Sequence, residues 1–236
     1  NNPDNFVYTN VIGTLNVLNA IREYGNVEKM VHTSTSEVYG TALYVPIDEK
    51  HPLFAQSPYA ASKIGADKLV ESYYLSFNLP VTTVRLFNTY GPRQSSRAII
   101  PAIISQALVK DKVFIGSIHP TRDFNYVEDM VSAFIRSAES PESLGEVINF
   151  GSGKEISIGE LARKIISLIG RDIELVCEEK RVRPEQSEVG RLVADATKAK
   201  KLLGWETSYS LTDGLKDVIR WISEHIAKYR SDTYNI

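Results

Sequence analysis

The sequence predicts an α/β protein built on a parallel sheet, and three observations carry that expectation. Segments with helical apolar periodicity alternate with short apolar runs along the whole chain, the pattern of βα units. Helices flank those runs, as they flank strands buried on both faces. Hydroxyls and a carboxylate follow directly on the first run, and open α/β sheets bind ligands beyond the carboxyl ends of their strands.

Taken in order, Phe6, Val7, Val11, Leu15, Leu18 and Ile21 recur at helical spacing from Asp4 to about Tyr24, and Gly25 supplies the stop. Val27 to His32 is short and bounded, so it is expected to be a buried strand. Thr41 to Gln56, with Pro46, Asp48, Glu49 and Pro52, reads as a lid or substrate-binding loop. Ser57 caps and Pro58 opens a helix running to about Phe77. Val81 to Phe87 is a β-branched strand, and Asn88 to Arg93 is its exit loop, broken by Gly91 and Pro92. A helix from Ala98 to Val109, a strand near Val113 to Ile115 and a helix from Glu128 to Ala138 follow. Glu146 to Phe150 is a strand, and Ser157 with Glu160 signals a capping box for a helix to Ile169. A strand from Ile173 to Cys177, a charged loop to Arg191, a short helix capped by Asp195 and an amphipathic helix from Leu211 to about Lys228 complete the chain.

With 27 basic against 29 acidic residues there is no general basic surface, so no nucleic-acid partner is expected. One cysteine, Cys177, cannot form an internal disulfide, and no Cys/His spacing suggests a metal site, so none is expected. No apolar run reaches membrane-spanning length and the N-terminus lacks a signal-peptide pattern, which points to the cytoplasm and to no membrane partner.

The chemistry concentrates in Thr33-Ser34-Thr35-Ser36-Glu37-Val38-Tyr39-Gly40 and in Tyr59-Ala60-Ala61-Ser62-Lys63. On a helix, Tyr59 and Lys63 are neighbours one turn apart. A fixed cation favours the phenolate, so the pair is expected to make a base for an alcohol. A strand followed by a G-x-G-x-x-G turn, the fingerprint of dinucleotide binding, is absent.

Six segments occur in the order expected of extended short-chain dehydrogenase/reductases acting on nucleotide sugars. They are Asn10 to Asn16, Ser34 to Gly40, Tyr59 to Lys63, Arg85 to Arg93, Arg122 to Asp129, and Ala194-Asp195 with Leu203-Gly204-Trp205. The chain is therefore identified as resembling the NAD-dependent epimerase/dehydratase family. That resemblance implies an incomplete Rossmann-like doubly wound parallel sheet with a smaller α/β C-terminal substrate domain. Residues 1–88 would be the C-terminal part of the NAD-binding domain, and 89–236 mainly the nucleotide-sugar domain, with segments crossing back. The missing fingerprint departs from the family pattern, and at roughly 30 residues per βαβ unit about 80 residues are expected upstream.

By the same resemblance, Tyr59 removes a sugar hydroxyl proton as hydride passes to NAD, Lys63 lowers the phenol's pKa and contacts the nicotinamide ribose, and Thr35 bonds the same hydroxyl. Thr33 joins Tyr59 and Lys63 on the cofactor side. Asn88 and Arg122 would meet the diphosphate or adjoining sugar, Arg183 the phosphate, and Glu188 the nucleoside ribose. Asn10 resembles the helix asparagine near the active lysine. Thr35, Ser36 and Glu37 resemble the triad of GDP-mannose-type 4,6-dehydratases. Oxidation at C4 acidifies the C5 proton, so Glu37 can remove it as a general base, and loss of the C6 hydroxyl with hydride return gives a 4-keto-6-deoxy sugar. The same run also occurs in UDP-glucuronate decarboxylases, and 4-epimerases stop after C4 oxidation. A non-catalytic nucleotide-sugar-binding fragment is the remaining alternative. The contexts around Tyr59 and Ser95 look closer to dehydratases, especially those acting on N-acetylhexosamines. A homodimer is expected through helices 4–24 and 57–77.

Overall fold

A computed structural model describes residues 2–182 and 184–229. Helix α1 (Pro3–Phe6) passes through a π-helical stretch, Val7–Ile12, into α2 (Gly13–Tyr24), which ends at Gly25 in the left-handed conformation. Strand β1 (Met30–Thr35) closes in a 3-10 turn, Ser36–Tyr39. After the 41–56 loop comes α3 (Pro58–Phe77), whose N-cap Ser57 Oγ accepts the Ala60 N–H. Then follow β2 (Val81–Leu86), β3 (Thr89–Tyr90), α4 (Ile99–Val109), β4 (Lys112–Ile115), β5 (Thr121–Arg122), β6 (Asn125–Tyr126) and α5 (Val127–Glu139). The chain continues through β7 (Val147–Phe150), β8 (Ile156–Ser157), α6 (Ile158–Ile169), β9 (Glu174–Cys177), β10 (Arg191–Leu192), α7 (Thr197–Leu203) and α8 (Leu211–Glu224).

Strands β1, β2 and β7 form one parallel sheet in that order, with Thr35 opposite Leu86 and Leu86 opposite Phe150. Helix α3, with α2 behind it, covers one face through a cluster that includes Leu18, Val70 and Val81. Helices α5 and α7 cover the other through Met130, Ala133, Leu203 and Trp205. The sheet is thus parallel and wound on both sides, a Rossmann-like α/β arrangement. A second core packs α4, α6 and α8 against the parallel pair β4 and β9.

Several local features differ from the sequence reading, among them the short strands β3 and β10 where loops were expected. β1 lies three residues downstream of the expected strand, because its inward residues are His32 and Ser34 rather than aliphatic ones. The first helix carries a π stretch that no periodicity signalled. The 41–56 loop is fastened to the 186–195 segment, with Ile47 N–H donating to Val193 O, and Asp195 N–H to Ile47 O, at 2.8 Å each. The Ser157 and Glu160 capping box is present. No helix among the described residues is long and apolar enough to cross a membrane.

Candidate active site

The carboxyl ends of β1 and β2 place the functional side chains. Helix α3 brings Tyr59 and Lys63 one turn apart beside the end of β1, where the Lys63 ammonium donates to the Thr33 carbonyl at 2.5 Å. Thr35 Oγ1 accepts the Glu37 N–H at 3.2 Å, which starts the 3-10 turn, and its hydroxyl is also a hydrogen-bond partner of the Tyr59 phenol. The Phe6 ring stands edge-on to Tyr59 with centroids 5.6 Å apart. From the π stretch, Asn10 Nδ2 donates to Ser62 Oγ at 2.9 Å, and that hydroxyl donates to the Tyr59 carbonyl at 2.7 Å. π stretches widen a helix and recur at functional sites, and here one aims Asn10 at the turn that carries Tyr59.

One expectation is corrected. Burial pushes the Tyr59 phenol above its ordinary pKa, the negative charges of Glu37 and Asp67 push the same way, and the Thr35 hydrogen bond opposes them. The Lys63 ammonium donates to the Thr33 carbonyl and is not among the groups that shift the phenol. Burial also lowers Lys63 itself, against the pull of the Asp67 charge.

Glu37 reaches beyond this group and lines a cleft of about 420 Å³ between the sheet ends and α4. Asn88, Arg122 and Glu188 line the same cleft, so the structure brings these expected residues together. Arg122 is 7% exposed, donates to the Thr121 carbonyl at 2.9 Å and sits 3.5 Å from the Glu188 carboxylate. Thr35, Tyr59 and Lys63 flank Glu37 on the strand side, outside the cleft lining. Thr33 is exposed, whereas Ser36 is 2% exposed and does not line the cleft. Arg183 lies outside the described residues.

Arg97, Arg181 and Gln94 also line the cleft and were not singled out from sequence. Arg181 is braced by Glu178, Nε to Oε2 at 2.5 Å. The side-chain oxygens of Asn88 and Gln94 are buried with no hydrogen-bond partner. A buried acceptor left unpaired is costly, so these two are suited to hydroxyl or N–H donors arriving with a ligand.

Next to Arg122, Asp123 is fully buried and ties the cleft wall together. Its carboxylate accepts from Ser152 N–H (3.0 Å), Ser152 Oγ (2.6 Å), Gly153 N–H (3.0 Å), Ala194 N–H (3.2 Å) and Asn125 Nδ2 (3.1 Å).

Comparison with known proteins gives a consistent picture. A family model described as GDP-mannose 4,6 dehydratase matches residues 1–218. A putative UDP-glucose 4-epimerase of Methanocaldococcus jannaschii is 33% identical over 233 residues, covering 95% of this chain and 73% of that protein. Human dTDP-D-glucose 4,6-dehydratase is 34% identical over 234 residues, covering 96% of this chain and 65% of the relative. The crystal structure of dTDP-glucose 4,6-dehydratase from Bacillus anthracis in complex with NAD superposes with a TM-score of 0.83 at 33% identity, over 92% of this chain and 68% of that one. The chain thus spans roughly two thirds of the length of the proteins it matches. Because the family match extends over residues 1–218, the chain belongs to the GDP-mannose 4,6 dehydratase family of NAD-dependent epimerases and dehydratases.

Proposed function

We propose that this chain carries the substrate-binding and acid–base machinery of an NAD-dependent nucleotide-sugar 4,6-dehydratase. The observation that carries the reading is Glu37, a carboxylate on the cleft surface beside the Thr35 and Tyr59 pair. A 4-epimerase needs no base at C5; a dehydratase does.

The residues fit a dinucleotide. The Lys63 ammonium has three donors and uses one on the Thr33 carbonyl, leaving two for a ribose diol at the carboxyl end of a parallel sheet. NAD, when bound, accepts and later returns the hydride. Tyr59 takes the C4 hydroxyl proton while Thr35 holds that hydroxyl. Burial moves the phenol's pKa further up from its ordinary value, and positive charge set beside it favours its ionisation. Glu37 removes the C5 proton and, protonated by that step, is the acid within reach of the departing C6 hydroxyl. Ser36 is buried, and a serine hydroxyl is far too weak an acid to replace it. Arg97, Arg122 and Arg181 offer guanidinium forks to the diphosphate, and Asn88 and Gln94 accept from sugar donors.

On this reading residues 1–88 belong to the cofactor domain and 89–236 mainly to the nucleotide-sugar domain, with α5, β7 and α7 crossing back. Exposed Val7, Tyr8, Ile12 and Val17, with Leu75 and Phe77 on α3, give an apolar face for a homodimer. The free, exposed Cys177 is in keeping with a reducing cytoplasm.

Mass spectrometry of full-length protein incubated with NAD and UDP- or GDP-N-acetylglucosamine tests the function. A product lighter by one water supports it. An isobaric product marks a 4-epimerase, and loss of carbon dioxide from UDP-glucuronate marks a decarboxylase; either outcome overturns it. Failure of the full-length protein to bind NAD in calorimetry would leave only the non-catalytic reading.

A further inference from the structure

Helix α3 must hold Tyr59 and Lys63 at one height against the end of β1, yet its buried face has little shape with which to do so. Four of its five buried residues are Ala60, Ser62, Ala66 and Val70. Small side chains interdigitate weakly, so apolar contact along this stripe, flanked by the partly buried Ile64, Leu69 and Tyr73, fixes the height of the helix less sharply than directional bonds do. The fifth is Asp67, one turn beyond Lys63 on the same stripe and 4% exposed.

The Asp67 carboxylate is fastened from two strands. On β1, His32 Nε2 lies 3.1 Å from Oδ1 and Ser34 Oγ donates to Oδ2 at 2.8 Å. On β2, Arg85 donates to Oδ2 through Nε at 3.2 Å and Nη2 at 3.1 Å. Arg85 is itself held, donating through Nη1 to Tyr39 Oη at 3.0 Å, and that phenol donates to Asn149 on β7 at 2.7 Å. His32 and Ser34 bracket Thr33, whose carbonyl receives Lys63, and Thr35 follows directly.

We infer that Asp67 is a positioning residue for the Tyr59 and Lys63 pair: its directional bonds to β1 and β2 set the height and rotation at which α3 presents both groups to the strand end. The inference rests on that pair being the acid–base machinery of the proposed reaction. Buried ion pairs are weak sources of stability, and fixing one geometry among several is their best-attested use. The charged or titratable groups around the pair and Asp67 are His32 from β1, Arg85 from β2, Tyr39 and Glu37 from the 3-10 turn, and Tyr59 and Lys63 from α3 itself. Asp67 therefore also supplies the negative charge nearest to Lys63 along its own helix.

Two measurements test this. In the first, NMR follows the titration of Lys63 in this chain with 13C-labelled lysine, the signal being assigned with Lys63→Arg. Asp67→Asn keeps the shape and removes the charge, and the Lys63 midpoint is expected to fall, because the Asp67 charge holds it up. Ser143→Ala, which loses buried hydrogen bonds to Thr82 and Lys29 at the amino end of β2, is the control and leaves that midpoint unchanged. An unchanged midpoint in Asp67→Asn overturns the inference. This readout holds whichever product the enzyme makes, so its failure is separate from failure of the dehydratase assignment.

The second measurement uses His32→Leu/Ser34→Ala, which removes the β1 fasteners and spares the Asp67 and Arg85 ion pair, so it decides the matter where Asp67→Asn does not fold. In the NAD-loaded full-length enzyme, kcat is expected to fall by about tenfold or more while KM stays within about twofold, because these side chains do not line the cleft. Equal loss in both parameters, or no loss in kcat, overturns it.

Discussion

Asp123→Asn is the most informative single substitution, because the carboxylate it replaces accepts five hydrogen bonds at 2.6–3.2 Å in a fully buried place. An amide can keep its oxygen toward Ser152 and Asn125. Its NH2 group then faces the N–H groups of Gly153 and Ala194, which become unpaired donors opposed by a donor. Each buried unpaired group costs about 1–3 kcal/mol, and relief of the buried charge offsets part of the sum. The expected loss is about 2–4 kcal/mol at pH 7, read as a lower urea midpoint at unchanged slope. The pH dependence fixes the sign. Burial raises the Asp123 carboxyl above its ordinary value, outweighing the donors that lower it. The folded protein therefore holds a proton that the unfolded chain has released, in the window between the ordinary carboxylate value and the raised one. Through that window the wild type gains stability as pH falls, and the asparagine variant lacks the gain. The gap between the two proteins should widen on moving from pH 7 toward pH 4. A loss below about 1 kcal/mol, or a gap that narrows with acid, refutes the reasoning.

Glu37→Gln in the full-length enzyme should cut water loss by about 10²–10⁴-fold while C4 oxidation persists, seen as reduced cofactor accumulating at 340 nm in about one turnover. Arg122→Gln should weaken binding of a nucleoside diphosphate by about 10–100-fold in calorimetry, because a charge-assisted bond is lost and Glu188 loses its partner. Gly214→Ala should lower thermal stability by about 1–3 kcal/mol, since the added methyl collides with the rings of Tyr90 and Tyr126 where α8 docks. Ser157→Ala removes the capping box of α6 and should cost about 1 kcal/mol in chemical denaturation.

The helices were legible because their ends carry local chemistry: Ser57 with Pro58, Ser157 with Glu160, and Gly25 each act within a few residues of themselves. β1 was misplaced because hydrophobicity does not report a strand whose inward residues are polar. His32 and Ser34 are buried on account of Asp67, thirty-odd residues away, and no window along the chain contains that reason. The cleft divided in the same way. Glu37, Asn88 and Arg122 stood in motifs and Glu188 followed from the family resemblance, whereas Arg97, in the stretch after Ser95, and Arg181, in the charged loop, meet the others only through tertiary structure. The direction of the Tyr59 shift was out of reach for a related reason. Spacing shows that a lysine is one turn away, but not that its ammonium donates to the Thr33 carbonyl or that the phenol is shielded from water.

The π stretch at Val7–Ile12 also makes the length of this helix a functional quantity. A π bulge holds one more residue than the regular turn it replaces, so the side chains before and after it are out of phase by about 100°. Deleting a single residue such as Thr9 would leave composition and apolar content almost untouched and let the helix regularise. With α2 still seated on α3, Phe6 would then rotate away from the Tyr59 ring. Substitutions in this segment should be tolerated far better than one-residue deletions, so a deletion scan would locate the active-site end of the helix without touching a group that does chemistry.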